Sequence, residues 1–225
     1  MINVLLSANN FHEPWIFHRL KDVIKPEHTV AVVPFSFHED WIDGEKAFQD
    51  CYNPRYGKYY EEIVTPFKAY GISCDNIKFI DYFKDNAKTA KALIEGSDIV
   101  FFTGGLPDKA MERIHKFHLE ETLKGFKGIV IGNSAGAMIQ LEEYHITPDK
   151  DYNTFGYYKG LGLLNSAYIE VHFEDTGLQN HSIRKVLCEK RKPLYAITNN
   201  GGIISIDGKI ESFGEVDIFN ITKGI

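Results

Sequence analysis

The chain has 225 residues and an ordinary soluble composition, enough to bury a sizeable core and to fill one α/β domain. Its formal charge of −6 gives nucleic acid no electrostatic footprint to bind, and Lys190-Arg191-Lys192 reads as a solvated helix end rather than a basic patch. No stretch approaches the roughly 18 uninterrupted apolar residues of a membrane-spanning helix, which excludes that class of membrane protein.

Met1-Ile2-Asn3 leads straight into an apolar strand, Asn3 to Leu6, without a basic leader or a small-residue cleavage site, so a cytoplasmic location is expected. Ala8-Asn9-Asn10 reads as the loop at its carboxyl end, followed by a helix from Pro14 to Ile24 that Pro26 stops. Thr29 to Pro34 is a second strand, apolar and β-branched, as expected of a parallel strand covered on both faces. Phe35 to Tyr59 is rich in aromatics, histidine and acids and keeps no clean period. It reads as a long loop with a short helix lying over the carboxyl ends of the strands, where substrate contacts gather, or else as a surface insertion. The neighbours His38, Glu39, Asp40 and Trp41 cannot all converge on one ion, and no metal or cofactor is assigned.

A helix over Tyr60 to Tyr70, ended by Gly71, precedes a third strand at Ile77 to Ile80 and a helix from Asn86 to Ile94 with Gly96 behind it. Asp98 to Phe102 is the fourth strand. It ends in Thr103-Gly104-Gly105-Leu106-Pro107, where two glycines let backbone amides turn toward a ligand. One helix is predicted from Asp108 to Lys124, then the strand Gly128 to Ile131 and a further helix after Ser134. Beyond an acidic turn at Pro148 to Asn153 come a glycine-rich bend within Tyr157 to Leu164, a short strand from Ala167 to Val171 that ends in His172, and a helix from His181 to Arg191. Leu194 to Ile221 reads as short strands around Asn200-Gly201-Gly202, Asp207-Gly208 and Gly214, an antiparallel extension at the edge of the sheet. The expected fold is therefore α/β, a three-layer doubly wound and mostly parallel sheet in a single domain over residues 1–225.

The chemistry centres on Gly132-Asn133-Ser134-Ala135-Gly136, a Gly-x-Ser-x-Gly turn between strand and helix. A serine on such a turn stands clear of the strand end, and the next amide, at Ala135, can face a developing oxyanion. The same glycines would also suit a turn that merely packs helix against sheet. A serine nucleophile needs a base and a group to orient it. Of nine histidines, His172 is best placed, at a strand end on the rim of Ser134 and the Gly104-Gly105 turn, with His145 its main rival. His115 and His118 lie on a presumed solvent-facing helix, and His181 near a helix start where the dipole opposes an imidazolium. Cys51, Cys74 and Cys188 are widely spaced and read as reduced structural thiols.

Taken in order, Thr103-Gly104-Gly105, Gly132-Asn133-Ser134-Ala135-Gly136-Ala137, Gly160-Leu161-Gly162-Leu163 and Val171-His172-Phe173 with Arg184 downstream resemble the peptidase E and cyanophycinase family of serine peptidases. The resemblance runs from about Asp98 to Leu187 and more loosely beyond. It implies a class I glutamine amidotransferase-like, flavodoxin-like fold, with Ser134 as nucleophile, His172 as general base and acid, and an oxyanion hole from the amides of Gly105 or Leu106 and of Ala135. It also implies an acid between Ser134 and His172, for which Asp149 stands at a fitting distance and Asp151, Glu142 and Glu143 are alternatives. Arg184 and Asn133 become candidate substrate contacts. Aspartyl dipeptidases of the family carry several arginines after the histidine, whereas Phe173 to Val186 holds only Arg184, so neither an aspartyl nor a cyanophycin substrate follows. The expectation is a serine peptidase acting near the N-terminus of short peptides, dipeptidase-like and without nucleic-acid or membrane partners, with a homodimer left open. The alternatives are a binding or regulatory protein on the same fold, or an esterase or amidase with a non-peptide substrate.

Overall fold

A computed structural model describes residues 1–220 of the chain. Five strands, β1 (Ile2–Leu6), β2 (Val30–Val33), β3 (Ile77–Phe79), β4 (Ile99–Phe102) and β5 (Ile129–Asn133), form a parallel sheet in the order β1-β5-β4-β2-β3. Their apolar runs are continuous because helices cover both faces. Val4, Leu6, Val32, Phe101 and Ile131 face one layer, packing on α1 (Pro14–Lys21), α2 (Glu45–Tyr52) and α3 (Tyr60–Ala69) through Leu20, Phe48 and Phe67. The alternate residues Leu5, Val33, Phe102 and Val130 face the other layer, α4 (Ala87–Glu95), α5 (Pro107–Lys116) and α6 (Glu120–Gly125), through Ile94, Ile114 and Leu123. The result is the three-layer α/β arrangement expected from the sequence. No described helix is long and apolar enough to cross a membrane.

Several boundaries differ for identifiable reasons. α1 ends three residues short of Ile24, where the Val23 amide turns back to the Leu20 carbonyl and tightens the last turn. The single helix expected over Asp108 to Lys124 is broken, because His118 adopts a left-handed φ of 53° and the Leu119 amide returns to the Ile114 carbonyl. After Ser134 only one turn, α7 (Ala135–Met138), forms. The chain then enters a separate hairpin, β6 (Glu143–Ile146) with β7 (Gly156–Lys159), so Glu142 and Glu143 are not on a helix.

The carboxyl-terminal part is an antiparallel extension, but with long strands instead of short ones. β9 (Leu194–Ile206) pairs antiparallel with β1 and with β10 (Lys209–Phe219), its hairpin turning at Asp207-Gly208; Ile221, the expected end, lies outside the described residues. β8 (Tyr168–Glu170) runs parallel to the first residues of β9, and hence opposite to β1 through β5. α8 (Gly177–Lys190) starts four residues before His181, because Thr176 caps it by accepting from the Gln179 amide.

Candidate active site

Ser134 sits between β5 and α7 with φ 51° and ψ −118°, a conformation that costs an L-residue about 1–3 kcal/mol and that the surroundings must enforce. They do so by close approach. A Cβ on Gly132 would lie 2.1 Å from the Gly136 carbonyl oxygen, and one on Gly136 would lie 2.2 Å from that of Phe102. The Ser134 amide donates to the Leu6 carbonyl (2.8 Å), tying the turn to the end of β1.

His172 reaches the same rim from the opposite direction, at the end of the reversed strand β8. Its Nε2 lies 2.9 Å from Ser134 Oγ. Its backbone is pinned on both sides: the His172 amide donates to Ser7 Oγ (3.0 Å), and Gln179 Nε2 donates to the His172 carbonyl (2.9 Å). Ser7 is fully buried and donates in turn to the Ile197 carbonyl (2.7 Å), so the imidazole is referenced to β1 and β9 together. The other ring nitrogen, Nδ1, is 2.6 Å from Asn199 Oδ1. A carboxamide oxygen there accepts from Nδ1–H and leaves Nε2 as the acceptor facing the hydroxyl.

The acids named from the sequence stand elsewhere. Asp149 Oδ1 accepts the amides of Asp151 (2.8 Å) and Tyr152 (2.9 Å), closing its own turn, and makes no bond to His172 although it lines the same cavity. Asp151 lines a neighbouring cavity. Glu142 pairs with Lys192 (3.9 Å) and Glu143 with Lys190 (2.6 Å). Burial alone would raise the Glu143 carboxyl, but the Lys190 ammonium and the Tyr168 hydroxyl hold it below its ordinary value. His145, the rival base, faces Glu170 (2.7 Å) and not the serine.

Among the amides near the serine without an acceptor in the described residues are those of Gly105 and Ala135, the latter because the first amides of a helix have no partner within it. The Leu106 amide, the alternative to Gly105, is spent on the Ser36 carbonyl (2.7 Å). Ser36, buried at 2 % exposure, holds this loop: its Oγ lies within hydrogen-bond reach of Thr103 Oγ1 (2.8 Å), the Thr103 carbonyl (3.0 Å) and the Gly104 carbonyl. Gly105 has φ +133°, and a Cβ there would sit 2.2 Å from the Ser36 carbonyl oxygen.

Two cavities meet at Gly105. One, of about 340 Å³, is lined by Ser134, His172, His145, Glu170, Asp149 and Glu174 among others. The other, of about 330 Å³, lies under the 35–60 segment, with Phe37, Trp41, Tyr52 and Tyr59 in its wall and Asn133 at its edge. That segment does lie over the strand ends, held by Arg113, whose guanidinium donates to the Phe35 (2.6 Å) and Phe37 (2.7 Å) carbonyls and stacks on the Phe37 ring at 3.6 Å. A larger cleft of about 840 Å³ opens at the opposite end of the strands, around Ile2, Asp98 and Ile129, away from Ser134 and His172. Arg184 is exposed on α8 and lines neither cavity beside Ser134, because Ser182, Ile183 and Val186 are the residues that helix buries.

Residues 12–213 match the family model of peptidase family S51. A search of curated proteins finds no match. Among solved structures, a Listeria monocytogenes EGD-e protein assigned as a peptidase E is 16% identical, with 95% of this chain and 98% of that one covered and a TM-score of 0.68. A peptidase from an acI-B1 Actinobacterium is 15% identical, covering 99% and 91%, also with a TM-score of 0.68. At these identities the two structures speak to the fold.

Proposed function

This chain belongs to peptidase family S51, the peptidase E family, and is a serine-type peptidase; from there we propose that it cleaves short peptides near their N-terminus through Ser134, His172 and Asn199. The observation that carries the reading is the 2.9 Å contact between Ser134 Oγ and His172 Nε2 beside two unoccupied amides. Ser134 Oγ attacks the scissile carbonyl carbon while His172 Nε2 takes its proton. The carbonyl oxygen gains the electron pair and is received by the Gly105 and Ala135 amides, with the positive end of α7 adding to the field. Collapse of the tetrahedral species breaks the C–N bond, and His172 returns the proton to the leaving amine. Water, deprotonated by His172, then cleaves the acyl-enzyme and regenerates the hydroxyl. Asn199 is a positioning residue, since it fixes the tautomer and orientation of the imidazole without touching substrate. Cavities of a few hundred Å³ on either side of Gly105 suit one or two residues, which favours short peptides over folded proteins.

Ser134→Ala tests the chemistry. The wild-type chain is expected to be labelled by a fluorophosphonate at Ser134 and to release amino acids from a dipeptide panel, and the alanine variant to do neither while keeping its circular dichroism spectrum. Full turnover by the variant would discard the assignment.

A further inference from the structure

The charge lining the catalytic cleft is one-sided. The cavity that contains Ser134 and His172 presents Asp149, Glu170 and Glu174 and neither lysine nor arginine. Its neighbour across Gly105 adds Glu62 and Asp151 against Lys150 alone. Across the two cavities, five carboxylates therefore stand against one ammonium. Glu170 is the informative member, because it is 5 % exposed and still lines the cavity. Its hydrogen bonds, with Thr147 Oγ1 at 2.9 Å and His145 Nε2 at 2.7 Å, both fall on Oε2, and Oε1 has no partner among the described residues. Oε1 is not sealed from solvent, so it stays available to accept from a cationic donor on a ligand in the cavity.

We infer that this cleft selects peptides carrying a positively charged side chain beside the scissile bond, an inference that rests on the peptidase reading of Ser134 and His172. A low-dielectric cleft lined by one sign of charge focuses its field and concentrates ligands of the opposite sign. The aromatic rings of Trp41 and Tyr52 in the second cavity add a surface that suits an ammonium or guanidinium. An acidic side chain meets the reverse situation. Arg184 is outside both cavities, and the Arg113 guanidinium is already committed to two carbonyls and to Glu39 (3.3 Å).

The test uses the intact chain and aminoalkyl diphenyl phosphonates that carry a lysine-like, a norleucine-like or an aspartate-like side chain, reading the second-order rate of Ser134 modification, alongside kcat/KM for Lys-, norleucine- and Asp-containing dipeptides with the variable residue on each side of the bond. The lysine-like probe is expected to react roughly tenfold faster than the norleucine-like one and the aspartate-like probe slower than both, with the cationic advantage shrinking severalfold between about 0.05 and about 0.5 M salt. Glu170→Gln and Glu174→Gln are each expected to reduce the lysine-to-norleucine ratio; if the first fails to fold, the exposed Glu174 and the salt series carry the test. An aspartate-like probe that reacts as fast as the lysine-like one, or a lysine advantage indifferent to salt and to Glu174→Gln, overturns the inference and leaves the peptidase reading standing. Failure of all three probes to modify Ser134, the neutral one included, overturns the peptidase reading and the inference with it.

Discussion

Replacing Asn199 with alanine removes the acceptor 2.6 Å from His172 Nδ1 while leaving Ser7 and Gln179 to hold the backbone of the histidine. In the resting enzyme the lost bond joins neutral partners and is worth about 0.5–1.5 kcal/mol; once the imidazole takes the serine proton, the donor is charged and the bond is worth about 1.5–3 kcal/mol. The difference of about 1–1.5 kcal/mol falls on the transition state alone, which is close to tenfold in kcat at about 1.4 kcal/mol per decade. Loss of the tautomer restraint adds to this, so the expected fall is roughly 10- to 100-fold with KM little changed. Asn199→Asp works in the other direction. A carboxylate about 4 Å from an imidazolium gains about 1 kcal/mol in water and about 4 kcal/mol at an effective dielectric constant of 20. Both side chains are exposed, so about 1–2 kcal/mol applies, which is roughly a tenfold gain on the alkaline plateau. The acid limb should move to higher pH, because the base must be neutral to act and the new charge holds its proton more firmly. Ser134 labelling rates and kcat/KM measured across that limb for the three proteins decide the matter. An alanine variant within twofold of wild type, or an aspartate variant whose acid limb moves down, would refute the role given to Asn199.

Three further outcomes follow from contacts around the site and the sheet. Gly105→Ala places a Cβ against the Ser36 carbonyl at 2.2 Å on a backbone at φ +133°, and should lower kcat by about 10²- to 10³-fold by displacing an oxyanion donor, read as turnover at saturating substrate. Arg113→Met leaves the Phe35 and Phe37 carbonyls without their donor and should cost about 3 kcal/mol in a urea titration, with a raised KM as the 35–60 segment loosens. Asp98 is held below its ordinary carboxyl value by the Thr29 amide first, against the opposing effect of burial, with the Thr29 hydroxyl adding to the depression. A depressed folded-state value stabilises above the unfolded carboxyl pKa, about 3.9, and that stability is lost as pH falls through the folded value. Asp98→Asn should therefore cost roughly 1 kcal/mol or less at neutral pH, given its exposure, with the gap to wild type closing in denaturation curves below about pH 4.

What could be read from the sequence is what short-range sterics dictate. Val30–Val33 and Ile99–Phe102 are legible as parallel strands because burial on two faces demands an uninterrupted apolar run. The turn at Ser134 is legible because close backbone approach admits only glycine at 132 and 136. Asn199 is not, since Asn199-Asn200-Gly201-Gly202 carries turn chemistry while β9 runs straight through it. Those glycines serve the sheet: a Cβ on Gly201 would lie 2.2 Å from the Glu215 carbonyl oxygen, and one on Gly202 would lie 2.6 Å from the Leu6 side chain. Asp149 misleads for the converse reason, its place along the chain being suitable while its carboxylate is consumed by the amides that follow it. The break between α5 and α6 at His118 is equally hidden, because apolar Phe117 and Leu119 continue the pattern of a helix across a left-handed residue.

The direction of β8 sets how the proposed nucleophile and base meet. Here β5 delivers Ser134 outward and β8, running against it, delivers His172 inward, so their ends converge. β9 makes this possible by extending past the end of β1, pairing with β1 at Gly202–Ile206 and with β8 at Leu194–Ala196. Asn199 falls in the gap between those two pairings, the one part of β9 that neither β1 nor β8 covers on that side, which is why its side chain can reach the imidazole. Ser7 closes the same gap from β1, with one hydroxyl accepting from the His172 amide and donating to the Ile197 carbonyl. The position of the proposed base thus depends on the stagger of three strands, which makes the antiparallel extension at the sheet edge part of the proposed site.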